Sequence, residues 1–175
     1  SNNIKFSIYY KTLKDKKSPV SKSIFNFNSD SKYVDVIAYC IMPTHFHFVL
    51  HQISDNGISK FMKNILDSYT RYFNLLNNRK GPLWQGRFKS VHVGSDEQLL
   101  HLTRYIHLNP TSDKLVASPE QWRFSSYLEY LGKSDTKICN FDNFISVTPE
   151  TYEKFVLDRQ DYQQKLAEIK HLVVF

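Results

Sequence analysis

Long apolar segments, paired cysteines and internal repeats are all missing from this sequence of 175 residues. No apolar run approaches the roughly 20 residues that a membrane-spanning helix needs, so we expect no membrane partner. Cys40 and Cys139 are the only cysteines, and two cysteines without a CxxC spacing form neither a disulfide framework nor a thiolate metal site. The first residues lack the apolar core of a signal peptide. These absences predict a cytoplasmic protein.

The residues that are present predict a globular chain with a basic surface. Hydrophobic residues make up 41% and aromatic residues 15%, which is enough for one domain with a substantial core. The formal net charge is +6 and the pI about 9.2. A polyanionic partner is therefore plausible on charge, although many basic domains bind no polyanion.

A histidine pair follows the first predicted strand. Residues 33–42 are nearly all apolar or β-branched, which is typical of a central strand, and residues 46–52 form its antiparallel partner across Pro43 and Thr44. Side chains alternate along a strand, so His45 and His47 share one face and are about 7 Å apart. Phe46, Phe48 and Leu50 are expected to anchor the opposite face in the core. Two such imidazoles can converge on one metal ion.

The remaining segments predict helices around a small antiparallel sheet, an α+β fold. Apolar residues at three- and four-residue spacing indicate a helix over 58–77, and Ser95 caps another over 96–108 that Pro110 should end. The other predicted elements are the end of a helix at 3–13, a loop at 14–32, a strand at 83–93, a helix from the cap at Ser118 to Leu131, and a charged helix at 149–171 capped by Thr148.

The helix over 96–108 carries two residues that would complete a metal site. Tyr105 and Asn109 are four positions apart and so share one helical face, with His101 one turn earlier. Two neutral imidazoles, one amide oxygen and water suit Mg²⁺ or Mn²⁺ that holds a phosphate. A tyrosine beside that ion can attack phosphorus and form a covalent phosphotyrosine.

Taken singly, each of these residues is more often structural. A His-x-His pair on an apolar strand usually packs, Tyr105 is by default a half-buried packing residue, and Asn109 is by default a helix-end residue. Four other histidines are alternative ligands or acid–base groups, and each of them is also more often structural: His51, His92, His101 and His107.

Four phrases in order resemble the single-tyrosine HUH transposase family, the IS200-like and REP-associated tyrosine transposase domain. Met42-Pro43-Thr44-His45-Phe46-His47 is similar to the family's Met-Pro-Asn-His-x-His, with Thr44 in place of Asn. The other three are Gly81-Pro82-Leu83-Trp84-Gln85-Gly86-Arg87-Phe88, Tyr105-Ile106-His107-Leu108-Asn109-Pro110 and Trp122-Arg123-Phe124-Ser125-Ser126-Tyr127.

The resemblance implies a ferredoxin-like antiparallel sheet with helices packed on one face and extra C-terminal helices. It implies a catalytic domain at 1–132, in which the family's first strand has no counterpart, and a helical extension at 133–175 packed on the same domain. His45, His47 and Asn109 would hold the divalent metal, and Tyr105 would be the nucleophile. Such enzymes nick single-stranded DNA, often beside a hairpin, and join themselves to the 5′ phosphate. A bacterial protein of this kind would associate with the nucleoid when DNA-bound.

A set of basic and aromatic side chains is the predicted DNA-binding surface, in which cations follow the phosphates and an aromatic ring stacks on bases. These residues are Arg71, Trp84, Arg87, Lys89 and Arg104. Two other functions stay open: a catalytically silent protein that binds DNA hairpins, and a metal-dependent hydrolase that uses water while Tyr105 only packs. A homodimer, with the tyrosine acting within or between chains, is open as well.

Overall fold

A computed structural model describes residues 32–135 and 137–160 of the chain. Two antiparallel strands, β1 (Val34–Ile41) and β2 (Phe46–Gln52), form the sheet of this part of the chain. Four helices follow: α1 (Gly57–Leu76), α2 (Asp96–Ser112), α3 (Tyr127–Tyr130) and α4 (Pro149–Leu157), with a 3₁₀ turn at Pro119–Gln121. The predicted α+β class is confirmed. The helix expected at 3–13 and most of the loop at 14–32 lie outside the described residues.

The described residues fall into two compact units, which divide the hairpin near its open end. The first unit contains residues 32–34 and 52–90, and therefore α1. The second contains residues 35–51, 91–135 and 137–160, and therefore most of the hairpin and the other helices.

The first unit is built on α1 and the segment that follows it. The Asn74 side-chain amide donates to the Gly81 carbonyl at 2.9 Å, and Arg79 donates to the Pro82 carbonyl at 2.8 Å. The indole nitrogen of Trp84 then donates to the Thr70 hydroxyl at 3.0 Å. These bonds fold residues 77–84 back along the last turns of the helix.

The second unit buries a core between β1, α2 and the C-terminal helices. Its buried members include Ala38, Cys40, Val49, Ile106 and Tyr152. Burial also raises the pKa of the Cys40 thiol to about 12, so this side chain stays an uncharged thiol in the core.

The prediction for the two faces of β2 is wrong in one respect. Val49, on the same face as His45 and His47, is the buried member of the core, whereas Phe46 and Phe48 on the opposite face are half-buried. The histidines therefore share a face with the core of the second unit. His47 is half-buried there, whereas His45 is exposed.

A polar network crosses this core. His107 is fully buried, and its ring nitrogens lie 2.7 Å from the Tyr152 hydroxyl and 2.8 Å from the Ser126 hydroxyl. Ser126 accepts from the backbone nitrogen of Tyr39 at 2.9 Å and donates to its carbonyl at 3.2 Å. The network therefore joins α2 to β1 and to α4.

Three predicted elements differ from the structure. The strand expected at 83–93 is irregular and mostly exposed, since alternation alone does not supply a neighbouring strand. The helix expected to stop before Pro110 continues to Ser112. Pro110 costs only the hydrogen bond to the Ile106 carbonyl, and the hydroxyls of Thr111 and Ser112 add bonds to the Leu108 carbonyl in the last turn.

The helix expected from Ser118 to Leu131 is the third difference. It is interrupted where Ser125 forms an antiparallel bridge with Cys40 of β1. Its predicted cap at Ser118 is confirmed, and Gln121 completes a capping box there; the cap of α4 by Thr148 is confirmed as well. Residues 161–171 of the last predicted helix lie outside the described residues, and none of the described helices is both long and apolar enough to cross a membrane.

The buried network predicts acid sensitivity of the fold. Burial lowers the pKa of His107 from 6.5 to about 3, so the unfolded chain binds a proton at this site that the folded chain excludes. The free energy of unfolding should then be fully retained above pH 6.5 and fall by up to about 1.4 kcal/mol per pH unit below it. Urea unfolding between pH 7 and 5 measures this slope. His107→Gln should flatten it, whereas the exposed His92→Gln should not; equal slopes in all three proteins would contradict the prediction.

Candidate active site

The turn between β1 and β2 presents the histidine pair. The backbone nitrogen of Met42 donates to the His45 carbonyl at 2.8 Å, which closes the turn through Pro43 and Thr44. The Thr44 hydroxyl lies 3.2 Å from Nδ1 of His45. The rings of His45 and His47 are 4.8 Å apart and perpendicular. The predicted pair therefore shares one face of the strand, and the Thr44 hydroxyl in the turn is within hydrogen-bond distance of a ring nitrogen of His45.

Tyr105 on α2 lies beside this pair. Its ring centroid is 6.1 Å from that of His47, in an edge-on arrangement, and its side chain is 39% exposed. A residue fifty-eight positions after His47 is thus in ring contact with it. The structure brings together the two histidines and the tyrosine that the sequence singles out.

Asn109 lies one helical turn beyond Tyr105 and is only 7% exposed. Asp113, one further turn along, donates its backbone N–H to the Asn109 carbonyl and is close enough to His47 to raise its pKa. Residues 105, 109 and 113 follow one line along the helix; Tyr105 is in ring contact with His47, and the charge of Asp113 acts on the pKa of His47. Asn109 is therefore on the side of α2 that faces the hairpin.

The amide of Asn109 is incompletely satisfied. Its Nδ2 is buried and has no hydrogen-bond partner among the described residues. A buried polar atom without a partner is costly, and in a native structure it commonly marks a site completed by an ion, water or ligand. Since the oxygen and nitrogen of an amide exchange places by a half-turn of the side chain, this position can also present an acceptor.

His47 is held in the form that binds metal ions. Burial lowers its pKa, the neighbouring His45 lowers it further, and the carboxylate of Asp113 acts in the opposite direction. The net effect favours a neutral imidazole at neutral pH, and neutral imidazole is the form with a free lone pair.

The chemistry of these donors fits a divalent cation. Two imidazoles and an amide oxygen, with water in the remaining positions, match the needs of Mg²⁺ or Mn²⁺. Across the described residues, no group of three or more His, Cys, Asp or Glu side chains is arranged to hold a metal. Asn109, with its unpartnered buried amide, is the predicted third ligand.

The predicted DNA-binding residues occupy different settings. Arg71, Arg87 and Lys89 are exposed in the first unit. Trp84, in the same unit, is half-buried, with its ring 5.7 Å from Tyr69 of α1. Arg104, in the second unit, stacks on Phe155 of α4 at 4.1 Å, so it contributes to packing.

The other histidines have structural partners or lie in solvent. His107 is buried in the core network, and His101 lies 2.6 Å from the Arg104 guanidinium. His51 stacks near Phe144, and His92 is exposed. Asp113 was not predicted to adjoin the site, because a helix ending before Pro110 would not reach it. Its four-residue spacing from Asn109 was the available signal.

Comparison with known proteins shows the class of protein to which this chain belongs. Residues 7–109 match the family described as IS200-like transposase, and this is more than half of the chain. The chain therefore belongs to the IS200-like transposase family.

A Haemophilus influenzae protein provisionally named a REP-associated tyrosine transposase is 25% identical over 103 residues. The match covers 53% of this chain and 58% of that relative, so it spans little more than half of the relative's length. No solved structure is significantly similar to the chain.

Proposed function

We propose that this protein cuts and rejoins single-stranded DNA through a covalent bond between Tyr105 and a 5′ phosphate. The observation that carries the proposal is the edge-on contact of Tyr105 with His47, whose ring adjoins that of His45. Membership of a transposase family makes DNA the expected partner. In this proposal Tyr105 acts on a phosphate held by the histidines of its own chain, with which it is in ring contact.

His45, His47 and Asn109 would hold Mg²⁺ or Mn²⁺ in this site. When bound, such an ion supplies Lewis-acid polarisation of the phosphodiester and shields its charge from the incoming oxygen. The residues contribute neutral donors: the pKa of His47 is lowered by burial, and the amide of Asn109 carries no charge. A neutral set of donors leaves the charge of the cation available to the phosphate.

The chemical step exchanges one phosphodiester for another. The Tyr105 oxygen attacks phosphorus as its proton leaves to solvent or a base, and a bond between phosphorus and the tyrosine oxygen forms. The bond from phosphorus to the 3′ oxygen breaks, and that oxygen leaves as a 3′ hydroxyl. The same hydroxyl, or one on another strand, can reverse the attack and release the tyrosine, which gives rejoining or strand transfer without a nucleotide cofactor.

Two other functions are separated from this one by experiment. A silent hairpin-binding protein would bind DNA without cutting it, and a hydrolase would cut with water and leave Tyr105 unmodified. The grouping of His45, His47, Tyr105 and Asn109 supports the transferase, since mere binding has no physical need for a nucleophile beside a metal site.

Tyr105→Phe should abolish covalent capture of DNA. Incubation of the protein with end-labelled single-stranded hairpin DNA and Mn²⁺ should give a protein–DNA adduct that survives denaturing electrophoresis. The substitution removes only the attacking oxygen, so the adduct should vanish while DNA binding remains. Tyr69→Phe, an exposed tyrosine of α1, is the matched control and should form the adduct normally.

The outcomes distinguish the three functions. Cleavage by Tyr105→Phe at the wild-type rate would show that water is the nucleophile and would favour the hydrolase. Binding without cleavage by the wild-type protein, with several metals and hairpins, would favour the silent binder.

Asn109→Ala should weaken metal binding by at least about tenfold, the scale of losses at tuned metal sites. Titration of the protein with Mn²⁺, followed by the electron paramagnetic resonance of the free ion, measures this without reference to activity. Asn109→Asp keeps an oxygen at the position and should bind at least as well as wild type. Asn143→Ala, an exposed asparagine of the second unit, should have no effect; an unchanged affinity in Asn109→Ala would remove this residue from the ligand set.

Arg87 and Lys89 should each contribute to the salt dependence of DNA binding. Each phosphate of a single strand that a cation neutralises makes the slope of log affinity against log salt steeper by about 0.7. Arg87→Ala and Lys89→Ala should therefore each make this slope shallower by about 0.7 in fluorescence anisotropy titrations at several salt concentrations. Lys63→Ala is the control, because Lys63 is paired with Asp67 at 2.6 Å. Slopes equal to wild type would place Arg87 and Lys89 away from the phosphates.

A further inference from the structure

Three aromatic rings form a row on the first unit. The ring of Tyr69, on α1, lies between the other two, with centroid distances of 5.7 Å to Trp84 and 6.4 Å to Tyr72. The indole nitrogen of Trp84 donates to the Thr70 hydroxyl at 3.0 Å, which holds that ring against the helix. Tyr69 and Tyr72 are three positions apart, so they leave the helix on the same side. The row therefore spans the second half of α1 and the segment that folds back along it.

Both tyrosines of this row are open to solvent. Tyr69 is 46% exposed and Tyr72 is 40% exposed. An aromatic side chain has about 150–250 Å² of surface to bury, and leaving nearly half of it in water forgoes much of the stabilisation that burial provides. Two adjacent rings of this kind form a patch, whereas a single exposed ring would be ordinary. Exposed apolar patches with a polar surround are typical of surfaces that bind a partner.

The positive charge of the protein is concentrated in the same unit. Residues 32–34 and 52–90 contain eight lysines and arginines and two aspartates, a net charge of +6. The described residues of the second unit contain seven lysines and arginines and eleven aspartates and glutamates, a net charge of −4. The opposite signs of the two units show that the basic character belongs to the unit that bears the rings. A polyanion would therefore be attracted to this unit and not to the other.

Two of these cations follow the row directly. Arg87 and Lys89 come three and five positions after Trp84 and are exposed. A chain of that length spans at most about 11 and 18 Å, so both cations lie within a few nucleotides of the rings. Proteins that hold single strands combine cations along the phosphates with rings under the bases, and this unit supplies both groups.

We propose that Tyr69, Tyr72 and Trp84 form a base-stacking surface for single-stranded DNA, with Arg87 and Lys89 on its phosphates. Unpaired bases fit the rings because a base inside a duplex is already stacked on its neighbours. The net charge of +6 favours a nucleic acid over an apolar protein surface as the partner of the patch. Stacking does not require cleavage, so this surface would hold DNA whether or not Tyr105 cuts it. Since every base has a stacking face, the surface should tolerate different sequences.

The double variant Tyr69→Ala/Tyr72→Ala should weaken binding to a fluorescein-labelled single strand of random sequence by about fivefold to hundredfold, the loss of one stacked base. Fluorescence anisotropy in the presence of EDTA measures this, because without a divalent cation the strand is bound and not cut. A strand of the same length made entirely of abasic sites keeps the phosphates but has nothing to stack. The double variant should bind that strand as tightly as the wild-type protein does, which also shows that it is folded.

Two control proteins separate stacking from other effects. Tyr69→Phe/Tyr72→Phe keeps both rings and removes only the hydroxyls, so it should bind the random strand with wild-type affinity. Phe124→Ala removes a ring of similar exposure, 47%, from the negatively charged second unit. It should bind both strands normally.

Two results would overturn the stacking surface: wild-type affinity of the double alanine variant for the random strand, or an equal loss of affinity for both strands. Failure of the proposed function is seen separately. If the wild-type protein with Mn²⁺ forms no adduct while binding still depends on the two tyrosines, the stacking surface stands and the cleavage reaction is wrong.

Discussion

The arrangement of this site depends on the buried hydrogen bonds of His107. Its two ring nitrogens reach Ser126, which is bonded to the backbone of β1 at Tyr39, and Tyr152 of α4. One ring nitrogen shares a hydrogen bond with the Ser126 hydroxyl and the other with the Tyr152 hydroxyl, so both are satisfied inside the core. The helix is thereby fixed in rotation against the strand, and Tyr105, two residues earlier, lies on a different side of the helix, next to His47.

Such a network specifies geometry more than it adds stability. A buried hydrogen bond contributes only about 1 kcal/mol net, yet a partner left unsatisfied costs about 1–3 kcal/mol, so a rotated or shifted helix would be penalised at several atoms together. Apolar packing alone would tolerate small slips of α2 along the sheet. The neutral state of His107 belongs to the same constraint, since a fully buried imidazolium would lack a counter-charge.

The sequence predicts the elements that depend on neighbouring residues, and predicts contacts between distant residues only in part. The hairpin, α1 and the caps at Ser95 and Thr148 follow from periodicity and turn chemistry within a few residues. The irregular segment at 83–93 was mispredicted because a strand exists only with a partner, and the helix after Ser118 because its middle pairs with β1. The adjacency of Tyr105 and His47 could be inferred only by chemical complementarity, since no local rule joins residues so far apart.

The continuation of α2 past Pro110 has a consequence for charge at the site. Pro110 removes only the hydrogen bond to the Ile106 carbonyl and the helix runs on to Ser112, which brings Asp113 close enough to act on the pKa of His47. Asp113 is exposed, and its charge is therefore screened by water. In the proposed function the metal ligands would be two imidazoles and an amide rather than carboxylates. A bound divalent cation would then keep a positive potential that attracts a phosphodiester, whereas a carboxylate-rich site would cancel it.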